Sequence, residues 1–171
     1  MPVYPVERLP VTHRGSFPGM AKHDAVIWHR FLDAYADAFD SFAYNVALGG
    51  PVIAPEHGEE AARLQWQYAN ALKVDAVGFR PAEAWIIEVK PSAGVSAIGA
   101  ALCYAELAQV DRFTDLALTP VVVTDQASPD IKLCARELGV VIFELPAPLP
   151  AYARIAPGRP GAGVSAAQSA R

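Results

Sequence analysis

This chain predicts a single α/β domain in which a central mixed sheet is flanked by helices. Three observations predict it. The 171 residues are 53% hydrophobic and 19% charged, enough apolar material for one sizeable core. Apolar residues recur at helical spacing in some stretches and form short unbroken runs in others. Two of those runs, near 71–79 and 84–90, are apolar on both faces, the pattern of a central, covered strand.

Residues 1–20 carry Pro2, Pro5, Pro10 and Pro18 and few periodic apolar positions, and read as an extended arm that either lies on the domain or is mobile. Its Arg8, His13 and Arg14 are candidate partner contacts. From about Ala21 to Phe42, Val26, Ile27, Phe31, Leu32, Tyr35 and Phe39 recur at helical spacing, with Asp33, Asp37 and Asp40 on the solvated side. Ala43–Leu48 is a short strand ended by the turn Gly49-Gly50-Pro51. Glu59–Tyr68 reads either as a short helix or as a ragged connection. The strand pair near 71–79 and 84–90 follows, with Arg80-Pro81-Ala82-Glu83 as its turn. Pro91-Ser92-Ala93-Gly94 breaks the second strand. Val95–Gln109 is a helix with a stripe of small residues, Ala97, Ala101 and Ala105, that permits close approach to a sheet. Leu116–Thr124 is an apolar strand interrupted by Pro120. Pro129–Leu138 is a helix with Ser128 as its cap, stopped by Gly139. Val140–Leu145 is a last buried strand, and Pro146–Arg171, rich in Pro, Ala, Gly and Ser, is a flexible tail.

The hairpin carries charges where a covered strand should have none. Pairing Phe79 with Ala84 across the turn sets Val77 opposite Ile86, Asp75 opposite Glu88 and Lys73 opposite Lys90. Side chains alternate along a strand, so Asp75, Glu88 and Lys90 share one face. Directly opposed residues have Cβ atoms roughly 4.5–5.5 Å apart. Two carboxylates that close repel each other and lose hydration. A divalent cation between them removes both costs, and hard cations such as Mg²⁺ choose carboxylate and carbonyl oxygens. Lys90 then stands beside a metal-bound water. The competing reading is the solvated side of an ordinary amphipathic hairpin. The apolar residues Val74, Ala76, Val77, Ile86, Ile87 and Val89 on both faces argue against it.

The formal net charge is −4, and the segment after Glu144 carries three arginines and no acid, leaving −7 on the first 144 residues. Non-specific nucleic-acid binding usually shows a basic footprint, so contact with a polyanion must be local, metal-assisted or delivered by a partner. No apolar run approaches a membrane span, and the N-terminus has no signal-peptide pattern, so the expected location is cytoplasmic. Cys103 and Cys134 are expected as reduced core residues. The four histidines lack metal-ligand spacing, and no glycine-rich phosphate loop is present. Trp28 and Trp85 lie in apolar patterns and are expected in the core.

The order helix, strand, strand, strand, helix, strand, with Asp75 on the second strand and Glu88-Val89-Lys90 on the third, resembles the PD-(D/E)XK nuclease superfamily over about 21–145. Within it the chain is similar to small phage-encoded or prophage-encoded members that carry a W-I-I-E-V-K-P strand and a helix with G-Q-x-x-x-Y. Here that helix has Gly99 and Tyr104, but Ala100 stands at the glutamine position. Asp33 and Asp37 are weak candidates for the family's first-helix acid, both better explained as solvated.

The resemblance implies a restriction-endonuclease-like core and a nuclease acting on DNA. Asp75, Glu88 and the Val89 carbonyl would bind Mg²⁺ or Mn²⁺, Lys90 would serve the attacking water, and Tyr104 and Lys73 would be auxiliary. It also implies a role in phage genome processing or head completion, in host cytoplasm or virion. The alternative is a nuclease-like fold kept as a structural or adaptor component of a phage particle, with other phage proteins or further copies of the chain as partners.

Overall fold

The computed structural model describes Tyr4 and residues 6–147. The tail expected from Pro146, with Arg154, Arg159 and Arg171, lies outside the described residues from 148 onward. The described chain is a mixed six-stranded sheet with helices on both faces. In chain order the elements are β1 (Leu9–Pro10), α1 (Lys22–Tyr35), β2 (Ser41–Leu48), α2 (Glu60–Asn70), β3 (Leu72–Phe79), β4 (Glu83–Ala93), α3 (Val95–Val110), β5 (Ala117–Ala127), α4 (Pro129–Glu137) and β6 (Val141–Glu144). Strand order across the sheet follows chain order. The first four strands pair antiparallel, and β4–β5 and β5–β6 pair parallel. Among the described residues no helix is long and apolar enough to cross a membrane.

One face of the sheet is covered by α1. Ile27, Trp28, Phe31 and Leu32 form its buried stripe and pack on Phe42, Ala76, Ile87, Val89, Val121 and Val123. Trp28 stacks on Phe31, with ring centroids 4.9 Å apart, and Trp28 Nε1 donates to the Tyr44 hydroxyl. The helix ends at Tyr35, in a 3-10 turn over Ala36–Ala38, and does not run on to Phe42. Phe42 belongs instead to β2, where alternation of period two replaces helical spacing.

The other face is covered by α3 and α4. Ala97 and Ala101 are buried over Val122 beside Ala135 of α4, and Ala108 packs on the cluster built around Val74, Val77 and Ile86. The small-residue stripe thus sits against strands as expected. Ser128 caps α4 by accepting from the Ile131 amide, and Gly139 takes the left-handed conformation that ends the helix, with φ +72°.

The described part of the arm lies on the domain. Leu9 and Pro10 pair with Phe42 and Ser41, Phe17 enters the core under α1, and the buried Tyr4 donates to the Gly49 carbonyl. Glu60–Asn70 is a helix, though none of its residues is buried.

Five expectations are corrected. The second hairpin strand does not break at Pro91. It continues to Ala93, because Ser92 and Ala93 pair with Gln126 and Ala127 of β5 and the β3 ladder has already ended. Pro91 therefore deprives no β3 residue of a donor. Cys103 and Cys134 are free thiols but exposed, because their helices turn the neighbouring alanines to the sheet. The strand β6 is an edge strand with Val141 and Glu144 exposed, not a buried one. Trp85 is only partly buried, whereas Trp28 is fully so. The expected interruption at Pro120 is absorbed: it pairs with Ile86 of β4, and β6 joins only from Val121.

Candidate active site

The hairpin register is the one expected from the turn. Phe79 pairs with Ala84, Val77 with Ile86 and Ala76 with Ile87. The regular ladder stops there. At the next step the Asp75 side chain replaces a backbone acceptor: its Oδ2 accepts from the Val89 amide at 2.9 Å. The Val89 side chain is buried beneath α1.

Lys90 brings the two carboxylates into one cluster. Its Nζ lies 3.0 Å from Glu88 Oε1 and 3.9 Å from Asp75 Oδ2. The Glu88 side chain is 6% exposed, that of Lys90 43%, so the acid is enclosed while the ammonium reaches solvent. Burial, and then the charge of Asp75, push the Glu88 carboxyl up to about 7. Burial also raises Asp75, against the pull of the Val89 amide and Lys90. For Lys90 burial acts downward, but the bond to Glu88 and the charges of both acids outweigh it, and its pKa is raised. Near neutrality the cluster holds a carboxylate pair that is costly to ionise and one ammonium that offsets part of the cost.

Tyr104, on α3, faces this cluster. Burial and then the charges of Glu88 and Asp75 raise its pKa. Lys73 does not join the site. Its ammonium sits 3.6 Å from the centre of the Tyr68 ring and donates to the Tyr68 carbonyl, because the β3–β4 ladder never extends far enough to set it opposite Lys90. Asp33 and Asp37 are exposed, and Asp33 pairs with Arg14.

The acid the sequence reading missed is Asp24. It is 8% exposed, in the first turn of α1, and its charge acts on both Asp75 and Lys90. The signal was present: Asp24 precedes Ile27 and Trp28 by three and four residues and so occupies the buried stripe of the helix. An acid in that stripe calls for an explanation that Asp33, Asp37 and Asp40 on the solvated side do not.

Among the described residues no group of three or more His, Cys, Asp or Glu side chains forms a metal cage. Two carboxylates with a neighbouring backbone oxygen nevertheless suit a hard divalent cation that keeps several of its waters. The cost of ionising Glu88 beside Asp75 is the charge imbalance such an ion would remove. A groove of about 650 Å³ between α3 and β5, lined by Leu102, Glu106, Arg112 and Leu118, lies apart from these acids. The carboxylate cluster lies instead where β4 outruns the β3 ladder, a notch in the strand pairing with Glu88 itself buried. Comparison with protein-family models, with curated proteins and with solved structures finds no match to this chain.

Proposed function

We propose that this chain is a metal-dependent nuclease of the PD-(D/E)XK type that hydrolyses DNA phosphodiester bonds. The observation that carries the reading is the convergence of Asp75, Glu88 and Lys90 where β4 leaves its antiparallel partner. The surrounding order supports it. Three antiparallel strands lead into the E-x-K strand, α3 follows on one face, and a parallel strand comes next, an arrangement that resembles the restriction-endonuclease-like core.

In this reading Asp75, Glu88 and the Val89 carbonyl hold Mg²⁺ or Mn²⁺, with Asp24 near enough to act on the same charge. The bound ion would supply Lewis acidity at a phosphoryl oxygen and lower the pKa of a coordinated water. The chain's own residues do the rest. The Val89 amide fixes one oxygen of Asp75 and leaves the other for the cation. Lys90, exposed at its tip, orients the attacking water and offsets negative charge that builds on the phosphate. Tyr104 flanks the acids where the resemblance places a helix residue over the site, and Ala100 contributes no polar group there.

The acidic body means that attraction to DNA is local and metal-assisted. The alternative, a nuclease-like fold serving as a structural or adaptor part of a phage particle, is favoured by one observation: Leu64, Trp66 and Tyr68 of α2 are exposed, with Trp66 at 47%. The deciding experiment incubates the protein with linear, circular and branched DNA in Mg²⁺ or Mn²⁺, with Glu88→Ala as control. Cleavage by the wild type and none by the variant supports the nuclease. No cleavage and no cation binding at millimolar concentration supports the adaptor.

A further inference from the structure

The geometry points to Asn45 as a positioning residue for the carboxylate site: its left-handed backbone reverses the faces of β2 and β3 at the level of Asp75, and its side chain seats the loop that leads to Asp24. This rests on the reading of Asp75 and Glu88 as the working acids, but its structural content can be measured without metal or substrate.

Asn45 lies inside β2 with φ +51°, a conformation that L residues seldom adopt and that Asn tolerates better than most. The β2–β3 register passes from Tyr44↔Ala76 to Val46↔Val74, so Asn45 stands opposite Asp75. Core membership shows what happens there. Before this point Phe42 and Tyr44 on β2 face the α1 side, while Ala43 faces the α3 side. After it Val46 and Leu48 face the α3 side, although they continue the even numbering. Strand β3 does the same: Ala76 faces the α1 side, Val77 and Phe79 the α3 side, and Val74 the α3 side again. Regular strands alternate without such a reversal. The neighbouring β4 keeps strict alternation, with Ile87 and Val89 on one face and Ala84 and Ile86 on the other.

Two strands therefore reverse together beside one that does not, and Asp75 sits at the reversal. That is why the ladder to β4 stops at Ala76↔Ile87 and why the Asp75 carboxylate meets the Val89 amide. The Asn45 side chain has a second task. A Cβ built on Gly19, itself at φ +77°, would fall 2.6 Å from Asn45 Oδ1. The two left-handed residues thus pack directly on each other, and Gly19 stands five residues before Asp24. One residue registers the acid of α1 and the acid of β3 on a common notch. Strain of this kind, held inside an otherwise regular strand next to charged groups, is characteristic of functional sites.

The test compares Asn45→Gly, Asn45→Asp, Asn45→Ala and Asn45→Val in the full chain. The Gly and Asp variants tolerate a positive φ, whereas Ala and especially β-branched Val resist it. The primary readout is amide hydrogen exchange and the ¹⁵N–¹H shift at Val89 in metal-free protein. A control amide, Ile87, lies within the regular ladder. The expected result is a protected Val89 amide in wild type, Gly and Asp proteins. In the Ala protein Val89 should exchange about tenfold faster relative to Ile87, the equivalent of the left-handed penalty, with a larger loss in Val. If Val does not fold, Ala against Gly decides the question. Equal Val89 protection in the Ala and Gly proteins overturns the inference. Mn²⁺-induced line broadening at Val89, recorded on the same samples, separates the two claims. A wild type that keeps the amide bond but shows no broadening refutes the metal-site reading and leaves the role of Asn45 standing. Broadening that survives equally in Ala and Gly proteins refutes the role of Asn45 and leaves the metal site.

Discussion

Glu88 on β4 and Glu144 on β6 belong to the same sheet, and each is bonded to a lysine, Lys90 and Lys132. Their proton affinities move in opposite directions. Glu88 is pushed up to about 7, by burial first and the charge of Asp75 second. Glu144 is pulled below its ordinary value by its bond to Lys132, with further help from the Ala127 amide. Pairing with lysine is common to both, so pairing does not set the sign. Enclosure does: Glu88 is buried under α3 beside a second acid, while Glu144 stands exposed at the edge of the sheet. A lysine beside an exposed glutamate satisfies it. Beside an enclosed pair of acids it is an incomplete counter-charge, and in the proposed reading a divalent cation would complete it.

The largest expected effect breaks the Glu88 side of this comparison. Glu88→Ala or Asp75→Ala should abolish calorimetric binding of Mg²⁺ and Mn²⁺ and reduce DNA cleavage on the order of a thousandfold. Undiminished cleavage in either variant would remove the site. Lys90→Ala should come next: cation binding is retained, while single-turnover cleavage falls by roughly 10²–10⁴. A loss of cation binding in that variant would make Lys90 structural.

The third effect is a pH dependence. The folded pKa of Glu88 is raised above its unfolded value, so the native state binds that proton more tightly. In metal-free protein this contribution to stability is fully present below the unfolded value near 4.5 and is lost as pH rises through about 7. Urea unfolding between pH 4.5 and 8 should show a decline on the order of 2–3 kcal/mol from this group. Glu88→Gln should flatten that limb, and saturating Mg²⁺ should reverse it, because cation and proton compete for the same oxygens. A Glu88→Gln profile that coincides with wild type would break the assignment. The smallest effect lies at the other glutamate. Lys132→Ala should leave the melting temperature at pH 7 within error and alter only the acid limb, where Glu144 loses its charge-assisted bond. A change in cation affinity on Lys132→Ala would show that the two lysine–glutamate pairs are not independent.

Much of this was legible before any coordinates. The turn at Arg80–Glu83 fixes the register, and the register brings Asp75, Glu88 and Lys90 together. The positions of α3 and α4 follow from spacing, and the cap at Ser128 from its place before Pro129. Where alternation is interrupted the reading failed. Lys73 was set opposite Lys90 on the assumption of a continuous ladder, but Asn45 and Asp75 end that continuity, and a single left-handed residue leaves no periodic mark in a sequence. The length of β4 was underestimated because proline was taken as a strand breaker, when only one neighbour needed its backbone. Apolar surroundings place the cysteines inside, although Ala101, two residues before Cys103, and Ala135, next to Cys134, supply the contact. Asp24 escaped notice because an acid in a first helical turn is usually read as favourable to the helix dipole, not as a buried charge.

The order of the strands across the sheet, which repeats their order along the chain, has a consequence for how the molecule comes into being. Every strand pairs with the next strand of the chain, but only β3 and β4 are joined by a short turn; the other pairings bridge a helix or a longer connection. Asp75 and Glu88 are joined by a closure of about a dozen residues, which costs little chain entropy and belongs to the fastest class of folding events. The short turn lets the carboxylates approach each other once the hairpin forms, and their repulsion then opposes the step in which Asn45 of β2 completes the seating of Asp75. A divalent cation that engages the pair at that stage would accelerate refolding as well as stabilise the product. Stopped-flow refolding with and without Mg²⁺ would register the difference in the folding limb.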